Sequence, residues 1–251
     1  MYALRAVVYR EARVRVTNAT FIFWDLFSPL AYLLVFGVGM DAAMGPPLVL
    51  PGIDYNAFFL AGVLAMASFG IASNTAWSFF LDRDNGIFYE MLTYPLSRGE
   101  YLFGKVLFNV GVGVLQALIA IGLGVIVLDI PLVWSRLPLL LAAVVVGVIG
   151  WFFFYACFAL KLRRNDAFNT VTSILYFVLQ FASSMFYPLE PLPGWLRAAA
   201  MANPITWHVD VMRFASIGVG TPATIAWEAL AFVVFTAVSF ALATRFLNHQ
   251  E

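Results

Sequence analysis

Gly99-Glu100-Tyr101-Leu102-Phe103-Gly104-Lys105-Val106 matches the first seven positions of a phosphate-binding loop. In that motif, backbone N–H groups cradle phosphate, a lysine reaches the outer phosphates and a closing Ser or Thr holds magnesium. Here the eighth position is Val106, and the segment leads into a long apolar run where the motif requires a strand before it. The match is set aside, and the sequence offers no other nucleotide loop. If ATP drives this protein, a second polypeptide binds it. Metal chemistry fares no better. Cys157 is the only cysteine, and His208 and His249 stand 41 positions apart, which is no ligand spacing.

The remaining polar candidates lie inside apolar stretches: Asn74, Thr75, Asn109, Gln116, Asn169, Thr170, Thr172 and Gln180. In lipid, such groups face a bundle interior, bond across helices or line a pathway. Helix-packing contacts are the ordinary reading, and a pathway lined by Asn74, Asn109, Gln116, Asn169 and Gln180 is the functional one. The dense run Trp151-Phe152-Phe153-Phe154-Tyr155-Ala156-Cys157-Phe158 has the same two readings: packing and lipid contact, or stacking on sugars or greasy drugs. No acid sits midway along an apolar stretch, which argues against a carboxylate relay for proton- or sodium-coupled transport.

The elements that must position these residues follow from composition. Of 251 residues, 63% are hydrophobic and 11% charged, and mean hydropathy is +0.89. A soluble domain of this size could not bury so much apolar surface. A soluble enzyme, a disulfide scaffold and a disordered chain are excluded. Net charge is zero, with 14 basic and 14 acidic residues, so nothing points to nucleic acid. A bilayer core takes roughly 20 apolar residues of helix. Stretches at about 21–40, 55–81, 106–128, 137–160, 167–187 and 224–246 meet that length, predicting an all-α membrane protein with six transmembrane helices in one domain. Small residues four apart, Ala120 and Gly124 or Ala143 and Gly147, allow close helix approach.

Six spans put both termini on one side, with eleven Lys and Arg there and Arg136, Arg197 and Arg213 opposite. The basic side is cytoplasmic by the positive-inside rule. No cleavable signal peptide is expected. Residues 1–17 read as an interfacial amphipathic helix, with Met1, Leu4, Val7, Val8 and Val14 on one arc, Arg10 and Arg13 opposite, and Glu11 and Arg15 interrupting the arc. A basic tail that only sets topology is the compatible alternative. The loop 41–54, with Pro46, Pro47 and Pro51, is predicted to be external.

Two connections carry most information. Residues 82–105 form an internal loop in which Asp84 or Asn85 caps a short helix over Ile87–Thr93 and Pro95 ends it. Ile87, Met91 and Tyr94 fall near one face and Glu90 near another, so the helix needs a surface to pack on. Residues 188–223 form an external segment with Pro188, Pro191, Pro193, Pro204 and Pro222. Trp195–Ala202 and Ile205–Ile217 read as two short helices broken at Asn203-Pro204, a re-entrant hairpin packed on the bundle, with Trp195 and Trp207 suited to headgroup depth.

These pieces together resemble the integral-membrane subunit of type-2 ABC exporters, the permease family of drug, lipo-oligosaccharide and polysaccharide export systems. The resemblance rests on Trp24-Asp25 through Pro29, Tyr32 and Gly37 in the first span, on Phe88-Tyr89-Glu90-Met91-Leu92-Thr93-Tyr94-Pro95-Leu96-Ser97, and on Phe186-Tyr187-Pro188 through Pro193, Trp195, Asn203-Pro204 and Arg213. The pieces occur in the family's order over almost the whole chain. The sequence departs from it at Arg83-Asp84-Asn85-Gly86, where the family carries Arg-Glu before a glycine.

The resemblance implies a subunit of the cell membrane that pairs with a second permease copy, identical or related, and docks on a separate cytoplasmic ATPase holding ATP and magnesium. It makes the helix around Glu90 the coupling helix, with Asp84, Ile87, Phe88, Met91, Leu92 and Pro95 contributing. Pro188, Pro193, Trp195, Asn203 and Pro204 become the external gate hairpin. Export of an amphipathic or lipid-linked substrate follows from the same likeness. An ATP-independent carrier is the alternative, followed by a lipid-modifying membrane enzyme, for which no His, Asp and Glu constellation is visible.

Overall fold

The computed structural model describes residues 2–17, 19–44 and 53–249. All elements within them are helical: α1 (Tyr2–Thr17), α2 (Ala19–Ala31), a π-helical stretch Tyr32–Gly37, α3 (Val38–Met44), α4 (Tyr55–Asp84), α5 (Ile87–Met91), α6 (Arg98–Val127), α7 (Leu137–Lys161), α8 (Asn165–Phe181), α9 (Gly194–Met201), α10 (Pro204–Ile217) and α11 (Pro222–Asn248). Among the described residues, four helical stretches are long and apolar enough to cross a membrane: Tyr55–Asp84, Arg98–Val127, Trp134–Lys161 and Pro222–Asn248.

α4 is the central rod. It packs on α6, α7 and α10, and its buried residues occur all round the helix. That is why its sequence shows no polar face. α6 and α11 lie outside it and turn large apolar side chains outward, among them Leu115, Leu118, Val233 and Val238. An outward apolar face of that extent suits lipid rather than water. The aromatic run of α7 is largely packed inside: Trp151, Phe152, Phe153 and Tyr155 are buried, with Trp151 against Phe69 of α4 and Phe232 and Phe235 of α11.

The elements differ from their predicted bounds at four places. The first predicted span, 21–40, lies in the continuous helical path of α2, the π-helical stretch and α3, with Pro29 inside α2. The side chains of Trp24 and Asp25, on which part of the resemblance rested, are outside the described residues, as are residues 45–52 with Pro46, Pro47 and Pro51. The span predicted to reach 187 ends as a helix at Phe181, because side chains take over its last carbonyls. Asn203 Nδ2 donates to Leu179 O at 2.7 Å and Ala182 O at 2.6 Å, Ser183 Oγ donates to Gln180 O at 2.6 Å, and the Tyr187 hydroxyl donates to Phe181 O.

α5 is five residues long, shorter than the predicted Ile87–Thr93. Neither Asp84 nor Asn85 caps it. Asp84 is the last residue of α4, and Gly86, at φ 77°, stands at the N-cap. That left-handed backbone is what a glycine tolerates between two helices that turn so sharply. The fourth difference is α1. It buries Val7 of the predicted arc together with Glu11, leaves Leu4 and Val8 half-buried and Val14 exposed, and packs along α6. The carboxylate that interrupted the arc is the group that docks the helix, for reasons given below.

Candidate functional site

One end of the bundle gathers the termini of α4, α6, α7, α8 and α11 around the loop that carries α5. There α1 is fastened across α4 and α6 by a buried cluster of four charges. Arg10 Nη2 lies 2.6 Å from Asp82 Oδ1, and Lys105 Nζ lies 2.7 Å from Asp82 Oδ2 and 2.8 Å from Glu11 Oε1. Arg10 Nη1 also reaches Glu11 at 3.0 Å, the Tyr101 hydroxyl donates to Asp82, and Lys105 donates to Ser78 Oγ at 3.1 Å. Lys105 is wholly buried and Glu11 and Asp82 nearly so.

Two acids and two bases balance, and both Asp82 oxygens, Glu11 Oε1, Lys105 Nζ and both terminal nitrogens of Arg10 are paired, the condition under which buried charge is tolerated. Burial opposes the Arg10 charge, but the hydrogen bond and charge of Asp82 outweigh it and hold the guanidinium above its ordinary pKa.

One turn further along α6, Arg15 Nη2 donates to Asn109 Oδ1 at 2.8 Å while Asn109 Nδ2 donates to Lys105 O at 2.8 Å. Gly104 makes the approach possible: a Cβ there would stand 2.6 Å from Val7 Cγ1. Thus Gly104 and Lys105, which mimicked a nucleotide loop, serve helix packing and an ion pair within α6.

Asp82 lies in the last turn of α4 and Lys105 about two turns into α6, so the cluster brackets the α5 loop on both sides. Within the loop, Phe88 is buried, its ring edge-on to Phe79 at 5.5 Å and Tyr101 at 5.2 Å. It anchors α5 inward and does not face outward. Met91 and Leu92 are half-buried against the same core, and Ile87 is half-buried. The exposed face consists of Asp84, Tyr89, Glu90, Thr93, Tyr94 and Pro95, a carboxylate flanked by two tyrosines. Ser97 then caps α6 in a reciprocal box with Glu100, its hydroxyl accepting from Glu100 N at 3.2 Å and its N–H donating to Glu100 Oε2 at 2.9 Å.

At the other end, α9 and α10 form the expected helix–break–helix. Pro193 stands at the N-cap of α9, Trp195 is 75% exposed, and Pro204 is the first residue of α10. Asn203 caps α10 by accepting from Ile205 N at 2.9 Å while its amide closes α8, so one residue joins three elements. α10 runs into the bundle against α4, α7 and α11. His208 donates from Nε2 to Ala143 O at 3.0 Å and accepts from Trp151 Nε1 at 3.4 Å, fitting over Gly147, where a Cβ would collide with its ring. Gly147 lies ten residues into α7, about 15 Å along its axis.

Arg213 is buried too. It donates to Ser184 O at 2.7 Å and Asp210 Oδ1 at 2.5 Å, and lies 3.8 Å over the Phe58 ring. Beside it is a cavity of about 260 Å³ lined in part by Pro188, Glu190, Arg197, Asp210, Arg213 and Glu228.

The predicted polar residues separate in space. Asn74 lines a groove of about 390 Å³ between α4 and α8, with Ser73, Thr172, Ser173 and Tyr176. Asn109 belongs to the charge cluster, Gln116 is buried in the bundle, Gln180 is buried at the end of α8, and Asn169 is exposed and donates to Asn165 Oδ1 at 2.9 Å. Sequence reasoning missed Glu11, Asp82, Lys105 and His208. The signal for the first three was present: charges at the margins of apolar stretches and an acid on the apolar arc of α1.

The family described as ABC-2 type transporter matches residues 2–217. Among individual proteins, the chain is 26% identical over 193 residues to a putative transport permease, ycf38, of Cyanophora paradoxa, covering 75% of this chain and 65% of that one. It is 25% identical over 164 residues to a probable multidrug ABC transporter permease, YbhR, of Escherichia coli (strain K12), covering 65% of this chain and 44% of that one. A daunorubicin resistance ABC transporter permease, DrrB1, of Streptomyces coeruleorubidus is 26% identical over 189 residues, covering 74% of this chain and 64% of its own. In each case the match spans less than two-thirds of the relative's length.

Proposed function

This chain belongs to the ABC-2 type transporter family, as a membrane permease subunit of an ABC transporter, and we propose that it exports an amphipathic or lipid-linked substrate, energised by a separate ATPase that docks on α5. The observation that carries this reading is the bracket of buried ion pairs around the α5 loop. Asp82 and Lys105 fix the loop's two stems to each other and to α1, so a push on Glu90 is delivered to α4 and α6 as rigid rods rather than absorbed by a soft connector. A partner shifts this equilibrium only through contacts that differ between its states. The outward Glu90, Tyr89 and Tyr94 supply one charged and two aromatic contacts.

In this reading the chain crosses the membrane six times. The path from Ala19 to Met44 and the 17-residue α8 supply the crossings beyond the four long helices. At about 26 Å, α8 is slightly shorter than the bilayer core, and the loop leading to α9 completes its crossing. The Asp82 end is cytoplasmic, with both termini there, and the α9–α10 hairpin enters from outside. Two permease copies face each other across the Asn74–Thr172 groove. There hydroxyl and amide groups accept the polar part of the substrate, and the outward Ile174, Phe177 and Val178 of α8 meet its apolar part or the second copy.

The test is charge reversal at the exposed carboxylate. Glu90→Arg leaves the permease folded in the membrane but abolishes co-purification with the ATPase and abolishes transport. Unchanged co-purification together with unchanged transport rejects the reading.

A further inference from the structure

The cytoplasmic end of the bundle carries a second cavity, of about 500 Å³, between the α4–α5 turn, the α7–α8 turn and the end of α11. Its described lining includes Arg83, Lys161, Arg163 and His249, with Asp84 the one carboxylate among them. The cations are steadied by rings and a carbonyl rather than by acids. Lys161 Nζ lies 4.5 Å from the Phe246 ring, and Arg83 lies 5.2 Å from the Phe80 ring and donates to Leu162 O at 2.5 Å. His249 donates from Nδ1 to Arg245 O at 2.7 Å, which orients the ring. A roomy pocket with a surplus of cations is built for an anion.

We propose that this cavity binds the phosphate headgroup of an anionic membrane lipid. Below its mouth, His249, Arg245, Leu242 and Val238 follow one another down a single stripe of α11. Leu242 and Val238 on that stripe are outward-facing and apolar. Eleven residues of helix give about 16 Å of apolar track, the depth of one leaflet's chains. A soluble phosphate would need the pocket but not the track; a lipid uses both. Basic pockets between transmembrane helices on the cytoplasmic side recognise headgroups in this way. Tyr89 also lines the cavity, so an occupied pocket touches the residue next to Glu90.

The inference takes its cytoplasmic orientation from the reading above but is tested on the purified permease without an ATPase, so failure of either leaves the other standing. Retention of lipid is measured by native mass spectrometry and thermal stabilisation with phosphatidylglycerol, phosphatidylcholine and inorganic phosphate supplied separately. The variants are Lys161→Gln with Arg163→Gln, and Arg164→Gln as a control, since Arg164 is exposed beside Asp166 and does not line the cavity.

Phosphatidylglycerol is expected to bind preferentially, and the double variant to weaken it roughly thirtyfold at about fivefold per cation. Arg164→Gln should bind as the parent does. An unchanged stabilisation by phosphatidylcholine shows that the double variant is folded. Equal binding of the two lipids, or undiminished phosphatidylglycerol binding by the double variant, overturns the proposal. Stabilisation by inorganic phosphate matching that by the anionic lipid makes this a free-anion site and overturns it as well.

Discussion

Arg10 and Asp82, 72 positions apart in sequence, meet through two hydrogen bonds of 2.6 and 3.1 Å. This contact joins the first helix of the chain to the last turn of its most buried one. It fastens α1 to the bundle. Whatever moves the α5 loop therefore moves α1.

Removing one member of the cluster strands its partners. Lys105→Met leaves two carboxylates, Glu11 and Asp82, sharing the single cation Arg10, with only the Tyr101 hydroxyl left to Asp82 besides. Loss of one side of a buried pair costs about 3–5 kcal/mol, so the variant should melt well below the parent in detergent. Adding Glu11→Gln should recover much of the loss, because the stranded charge is then gone. Thermal unfolding of the single and double variants checks this, and equal instability of the two would show that Glu11 is not the group left exposed.

Gly104 sets how closely α1 can lie on α6. Gly104→Ala brings a methyl group to 2.6 Å from Val7 Cγ1, an overpacking that costs about 1–3 kcal/mol. Val7→Ala in the same chain should relieve it. Limited proteolysis of α1 reads the effect: faster cleavage in Gly104→Ala, and protection restored in the double variant.

The pairing of Gly147 with His208 makes a similar test inside the bundle. Gly147→Ala places its methyl on the imidazole and should displace α10, lowering stability by about 1–3 kcal/mol. His208→Ala alone should also destabilise, leaving a cavity and the Trp151 N–H without its acceptor. The two together should be less damaging than the sum of the singles, a coupling that a thermal double-mutant cycle measures.

The Asn203 side chain makes three hydrogen bonds to two segments, the end of α8 and the start of α10. Asn203→Ala removes a helix cap and two partners of buried carbonyls, a loss of about 2 kcal/mol or more. Asn203→Asp keeps the cap acceptor but not the donors and should fall between. Hydrogen exchange at the end of α8 and the start of α10 should rise in the order Asn, Asp, Ala.

The sequence shows the long helices because apolar length is a local property; α4, α6, α7 and α11 stand close to the stretches predicted for them. The two short helices α9 and α10 were legible as well, since Pro193, Asn203 and Pro204 punctuate locally. Helix ends set from a distance were not. α8 stops at Phe181 because a side chain 24 positions later, Asn203, takes the Leu179 carbonyl. The charge cluster was hidden for the same reason: Glu11 and Lys105 are 94 positions apart, and each alone reads as a blemish at an apolar margin. Phe88 was counted among the coupling residues through the resemblance, and its burial could not be read locally, because the rings that cover it, Phe79 and Tyr101, come from α4 and α6.

In the proposed mechanism α5 hands the ATPase's movement to the bundle through its exposed face. Photo-crosslinking from single positions in the assembled transporter tests it most directly. Probes at Tyr89, Glu90 and Tyr94 should capture the ATPase in high yield, and a probe at Phe88 should capture only the permease itself. Capture of the ATPase from elsewhere on the permease with none from Tyr89, Glu90 or Tyr94 would contradict the account.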